Sequence, residues 1–478
     1  MRRIATTFVI LLTGGWIAVA RAQEAVVAQI PAAAGSPLGP REFLKVFDID
    51  EGYLATFADD RPMDVAEREK LLQILFRLRQ FPVASLEKFS NPPDGLQSLK
   101  EHPGDSRGEL FDVRGIVTRV MREELAPELR ERLQIVACYR CQVIADSGMA
   151  AVIYTLTVPQ VWKLNQPLDE RCNARALFIK REKRDDDAHA EPNGAPDWVF
   201  VAPRMAWYPR SFLGELGMDC GLLDEVHDRT RLNERECFYQ MLGAVSRADE
   251  QQIEREGQQE LARWKSEWTA SEKDPALDVN QRQAARRALA SAERNASDIV
   301  PLFNQAQAQR GKLFVVRGEA LRAIEVRVDD PDIVRRFGLR HYYELEIFTP
   351  DSQNNPLVCC VSELPSGMPR GDDIRENVCI TGFFLKSWAF DAASSANSTS
   401  TKKQPLRQQL APLLVAKTVE WFPKSDARAQ SVSVAVGLIV TLALGTAVVF
   451  YLRRVDRRAL AAARSARLTL PDSISLDD

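Results

Sequence analysis

Few residues in this 478-residue chain are spaced for chemistry. Cys138-Tyr-Arg-Cys141 is a CxxC, accompanied by Cys172, Cys220, Cys237, Cys359, Cys360 and Cys379. A zinc site built on it needs a second pair or a nearby histidine at ligand spacing. His102, His189, His227 and His341 are scattered and supply neither. The motif also opens a predicted strand, where positions three apart face opposite sides. It therefore reads as structural. Hydrolases need a nucleophile beside a base, or paired carboxylates in a cleft. No GxSxG, HExxH or phosphate loop occurs. The expectation is a protein without catalytic activity, metal or cofactor.

The elements that carry these residues come from an internal repeat. Gly108-Glu-Leu-Phe-Asp-Val-Arg-Gly115 matches Gly311-Lys-Leu-Phe-Val-Val-Arg-Gly318, 203 positions on. Glu67-Arg-Glu-Lys-Leu-Leu-Gln-Ile-Leu75 matches Glu234-Arg-Glu-Cys-Phe-Tyr-Gln-Met-Leu242, 167 positions on. Asp50-x-Gly52-x-Leu54 mirrors Asp219-x-Gly221-x-Leu223, and Trp207-Tyr-Pro209 mirrors Trp421-Phe-Pro423. The changing offsets place one insertion of copy two in 246–310, read as two helices broken at Asp274-Pro275. A second falls largely in the Ser/Ala/Thr-rich stretch 392–403.

Within each copy a helical segment precedes five predicted strands. The first are Leu110–Val120 and Leu313–Ile324, with Phe111, Val113, Phe314 and Val316 facing a core. Gly115 and Gly318 fall mid-strand, where glycine marks a bend. The later strands are 139–145, 151–158, 174–180 and 199–207 in copy one. Their counterparts are 343–349, 356–361, 378–386 and 413–421. A partly helical connection is expected around 160–169, between the third and fourth strands.

The two ends carry targeting signals. Met-Arg-Arg, an uncharged stretch 4–20 and Ala20-Arg21-Ala22 predict a secretory signal cleaved after residue 22. The uncharged run 431–452 would be about 33 Å long as a helix, enough for a hydrocarbon core of about 30 Å. Arg453, Arg454, Arg457 and Arg458 follow it, so the C-terminus is expected inside. Ser433, Gly437, Thr441 and Gly445 recur every four residues, a spacing that allows helix pairing and a homodimer. The expected domains are signal 1–22, disordered linker 23–45, helical segment 46–107, barrel 108–209, helical segment with insertion 210–310, barrel 311–423, linker 424–430, transmembrane helix 431–452 and cytoplasmic tail 453–478. The fold class is α+β.

A long bent first strand, two strands, a helical connection and two final strands is an order that resembles the OB-fold, over 108–209 and 311–423. The whole arrangement is similar to exported, membrane-anchored bacterial proteins of uncharacterised function, which lends no activity. The resemblance implies ligand contact on the face of the second and third strands, where OB-folds take oligonucleotides and oligosaccharides. That face offers Arg140, Tyr154 and Trp162 in copy one. In copy two it offers Tyr342, Tyr343 and Phe348, but also Glu344, Glu346 and Glu363. Carboxylates there, and a net charge of −3, argue against nucleic acid.

The features that both copies share read as architecture: Arg114 with Gly115, Arg317 with Gly318, Trp207 and Trp421. Arg114 and Arg317 are expected to pair with a carboxylate of the preceding helix, Glu67 or Glu234. The functional expectation is a membrane-anchored extracytoplasmic binding or scaffolding protein, with a protein partner. Carbohydrate or cell-wall binding through the barrel faces is the alternative.

Overall fold

Apolar residues at helical spacing define α1 (Val65–Leu78), whose Leu71, Leu72, Leu75 and Leu78 are all buried. Asp64 caps it, its side chain accepting the Glu67 N–H at 2.8 Å. A short helix at Pro40–Lys45 already buries Phe43 and Leu44 against the same core. Between α1 and the first strand the chain adds only the seven-residue α2 (Val83–Phe89), a 3₁₀ turn at Pro93–Gln97 and a four-residue helix at Ser98–Glu101. In this computed structural model, residues 38–183, 197–230, 234–391, 408–423 and 427–467 are described.

The strands of copy one are β1 (Leu110–Glu123), β2 (Cys138–Ala145), β3 (Ala150–Thr155), β4 (Pro167–Glu182), β5 (Asp197–Ala202) and β6 (Ala206–Trp207), with α3 (Pro127–Leu133) between β1 and β2. They form one sheet in the order β1-β2-β3-β5-β4-β6, and β1 also pairs with β4, which closes the circuit. β3 and β5 run parallel.

Copy two begins with α4 (Arg235–Arg247), then α5 (Glu250–Lys273) and α6 (Val279–Glu293), broken at Asp274. Its strands are β7 (Leu313–Arg327), β8 (His341–Phe348), β9 (Leu357–Val361), β10 (Glu376–Asp391), β11 (Gln408–Ala416) and β12 (Glu420–Phe422), with α7 (Pro331–Phe337) after β7. The order is β11-β9-β8-β7-β10-β12, closed by β11–β10 pairing, with β9 and β11 parallel.

The alternation along each strand separates two cores. In copy one Phe111, Val113, Phe178 and Phe200 fill the inside of the closed sheet. Leu110, Leu177, Ile179, Val199 and Val201 face outward and bury against α1. Cys138 packs in the outer core and Cys141 in the inner one, as opposite faces require.

Several expectations are corrected. Each sheet has six strands rather than five, because the last expected strand breaks into two pieces that pair with different stretches of the same strand, β4 or β10. The connection at 160–166 is turns, and the helix of each barrel, α3 or α7, lies between its first two strands instead.

The C-terminal expectation is also overturned. α8 (Ala427–Arg467) is 41 residues long, yet no helix among the described residues is long and apolar enough to cross a membrane. Arg453, Arg454, Asp456, Arg457 and Arg458 lie on this helix. The transmembrane helix, the single-pass type I topology, the cell-membrane localisation and the membrane as a partner are therefore not supported. The signal at 1–22 and the loop at 392–403 lie outside the described residues. The chain divides into two compact units at Glu420/Trp421.

Candidate functional site

The residues that both copies share turn out to fasten helices to barrels. Arg114 does not reach Glu67; its guanidinium pairs with Asp112, two positions back on the same strand face, at 2.6 Å. Glu67 instead receives Lys180, Nζ to Oε2 at 2.8 Å. Glu234 receives Lys386 at 3.0 Å. Both lysines sit where the pairing of β4 with β5, or β10 with β11, slips by one residue. Such a bulge re-aims a side chain, here from the sheet edge into the helical layer.

A second fastening is also duplicated. Asp59 accepts from Arg107 at 2.7 Å and from the Arg181 N–H at 2.7 Å. Asp228 accepts from Arg310 at 2.6 Å and from the Ser387 N–H at 2.9 Å. These contacts are buried or half-buried, and Asp228 and Ser387 also line a shallow cavity of about 570 Å³ with Phe303, Asn304 and Gln305.

A groove lies elsewhere, between the barrel of copy one and the helical segment that opens copy two. Its volume is about 690 Å³, within the range of ligand pockets. Phe81, Leu86, Ile135 and Leu156 make an apolar end. Asn173, Arg175 and Arg204 also line it, together with Asp219, Glu225 and Glu236. The two copies are pinned beside it by Arg336 of α7, which pairs with Glu87 at 2.6 Å and with Glu236.

Burial raises the Asp219 carboxyl above the usual aspartate range, against the pull of Arg204 at 3.0 Å. It also accepts the N–H groups of Trp207 and Gly221. Burial pushes the Tyr208 phenol up to about 12, so it stays a neutral donor. Two polar atoms in the groove are buried without a partner: Asn173 Oδ1 and Arg204 Nε. A second cavity of about 400 Å³ shares Asn173, Arg175 and Tyr208, and adds Arg114, Arg171 and Arg210.

The same place in copy two is filled. Cross-strand partners Asp112 and Arg175 correspond to Val315 and Thr381, and Arg114 and Asn173 to Arg317 and Cys379. There α5 lies on the sheet. Gly257 sits so close that a Cβ would fall 2.5 Å from Thr381 Cγ2 and 3.2 Å from Val315 Cγ2. Trp264 packs on Phe314 with ring centres 5.2 Å apart. About 130 Å³ remains, lined in part by Glu254, Cys379, Thr381 and Lys417. Copy one has only short helical pieces after its first long helix, so its groove stays open.

The residues expected on the binding face are not assembled into a site. Arg140 and Tyr154 are neighbours across β2 and β3, but Tyr154 is buried in the helical-side core, its phenol pushed up to about 12 by burial. Trp162 is buried inside the barrel. Tyr343 is buried beneath the Arg370 guanidinium, 4.7 Å from its ring centre, while Phe348 is half-buried. Glu344 and Glu346 are both paired with Arg322.

Among the shared residues, Trp207 donates its indole N–H to Glu170 at 2.8 Å, and Trp421 is half-buried in β12. Arg317 hydrogen-bonds Cys379. Gly115 and Gly318 meet neighbouring backbone, since a Cβ at either would overlap a carbonyl oxygen, of Ile144 or Phe348.

Asn173, Arg175 and Arg204 escaped the sequence reading because it looked for what the copies share. The signal was in the differences: Asn173 and Arg175 against Cys379 and Thr381.

All eight cysteines are buried and unpaired. Among the described residues no group of three or more His, Cys, Asp or Glu side chains is placed to hold a metal ion. A concavity along α8 is lined only by that helix's own side chains, from Thr441 to Arg453, and encloses nothing. Neither the protein-family models nor the curated proteins compared with the chain give a match.

Proposed function

We propose that this is a non-enzymatic binding protein in which copy one holds the ligand and copy two is structural. One observation carries the reading: the same barrel position is an open groove of about 690 Å³ in copy one and is covered by α5 in copy two. The circuit β1-β2-β3-β5-β4-β1 supports treating each barrel as OB-like, with the departure that its helix follows the first strand. Fold does not name a ligand, but the lining does so coarsely. Arg175 and Arg204 stand with three carboxylates beside an apolar end, a surface for a ligand with both apolar and hydrogen-bonding parts.

The test is a fragment screen on the full chain read by thermal shift. Hits should stabilise the wild type and lose that effect in Ala206→Trp, which fills the groove from β6. Hits that stabilise the plugged variant equally would overturn the reading.

A further inference from the structure

We infer that the groove takes an extended segment of a partner polypeptide, in which an apolar residue and an acidic one lie a few positions apart. This rests on the reading of copy one as the binding copy.

Asn173 is 8 % exposed, and its amide oxygen is a buried acceptor without a partner. Arg204 lines the same groove, and its Nε is a buried donor without a partner. A backbone peptide unit carries one donor and one acceptor, so it answers both. An acyl chain has no donor to offer Asn173. A sugar has both, but its hydroxyls gain nothing from the end lined by Phe81, Leu86, Ile135 and Leu156.

The acidic residue follows from the other end. Arg114, Arg175 and Arg210 are already paired with Asp112, Glu87 and Asp169. Arg171 is exposed and forms no ion pair among the described residues. It stands two positions from Asn173 on the same face of β4, and lines the adjoining cavity. In copy two the matching position is Asn377, opposite Glu319, so the cation belongs to the open copy alone. Extended peptides are recognised in this way, main-chain bonds giving affinity and alternate side chains giving specificity.

The probe is an array of acetylated decapeptides of varied composition, incubated with the labelled full chain. Captured peptides should be enriched for an acidic residue within three positions of an apolar one. Asn173→Leu should lower capture at least tenfold. Arg171→Gln should leave capture largely intact and erase the acidic preference, as should raising the salt. Arg171 is exposed, so this second variant remains informative if Asn173→Leu fails to fold.

Peptides captured without that pattern, or as well by Asn173→Leu as by the wild type, would overturn the inference. So would an array that captures nothing while thermal-shift hits still depend on an unplugged groove. That outcome spares the binding copy and removes only the peptide. If the hits also ignore the plug, the binding reading itself fails.

Discussion

Lys180 donates to Glu67 across 2.8 Å, with both side chains buried. The lysine comes from β4 and the carboxylate from α1, so the pair fixes the helical layer on the barrel. Removing water from two charges costs several kcal/mol per ion, and only good geometry with further hydrogen bonds offsets it. Glu67 has these: its Oε1 accepts the Ala58 N–H at 2.8 Å and Arg61 at 3.1 Å. Glu67→Gln is expected to destabilise the chain by about 3–5 kcal/mol, because it strands a buried ammonium. Glu67→Gln combined with Lys180→Met should recover most of that loss. Urea unfolding of the singles and the double measures it, and a double as unstable as the sum of its singles would show that the pair does not couple.

Acid should release these pairs. Burial alone would raise the Glu67 carboxyl, but hydrogen bonds from Lys180, Ala58 and Arg61 outweigh it and hold it below 4.5. Glu234 is also held below 4.5, burial being opposed by the His227 N–H and by Lys386. A carboxyl depressed in the folded state contributes stability above its unfolded value and loses it as pH falls through the folded one. Asp219, raised by burial, has the opposite sign: its carboxylate form is disfavoured in the fold, so its term favours the folded state as pH falls. Urea midpoints should therefore drop below about pH 4.5, with a smaller drop in Glu67→Gln than in the wild type. An equal drop would mean that other carboxylates control acid unfolding.

How far this was legible depends on what each residue does. The repeat aligned Glu67 with Glu234, and that pairing was meaningful, but the partner assigned to them was wrong. Arg114 looked suitable because it lies inside the matched block; strand alternation keeps it on a face that Asp112 already serves. Lys180 and Lys386 were missed because a lysine in a strand normally reads as solvated. Their signal was the shared Phe-x-Lys at 178–180 and 384–386, at an offset the search did not try. The uncharged run at 431–452 reads as a span with Arg453 and its neighbours as its inner flank, whereas one helix continues through those arginines to Arg467. The groove had no signature of its own, since it exists only where α2 is short and copy two packs back on copy one.

Gly115 is a stricter position than a bend. It pairs with Ala145 of β2 and with Cys172 of β4. A Cβ would overlap the Ile144 carbonyl oxygen and lie 2.7 Å from Ala145 Cα. Backbone on that side cannot rotate away as a side chain would. Gly115→Ala is expected to cost about 3 kcal/mol or more. Gly148→Ala is the contrast, because nothing lies within 4 Å of its Cβ position and only its φ of +76° resists. Thermal melts that rank the two the other way would show that β1 can shift at this point.

Gly257 asks whether α5 is held on its barrel by close approach. In an exposed helix, Gly to Ala gains up to about 1 kcal/mol from propensity. Here the new methyl would fall 2.5 Å from Thr381 Cγ2, and overpacking of that kind costs about 1–3 kcal/mol. The second effect is the larger, so Gly257→Ala should lower stability despite the better helix former. Thr381→Ala removes the obstructing methyl and leaves Val315 Cγ2, at 3.2 Å, as the nearest atom. In that background the same Gly257→Ala change should become neutral or stabilising. A double-mutant cycle by urea unfolding reads the sign reversal directly. If Gly257→Ala destabilises equally in both backgrounds, Thr381 is not what sets the approach of α5, and the glycine serves the helix in some way other than closeness to β10.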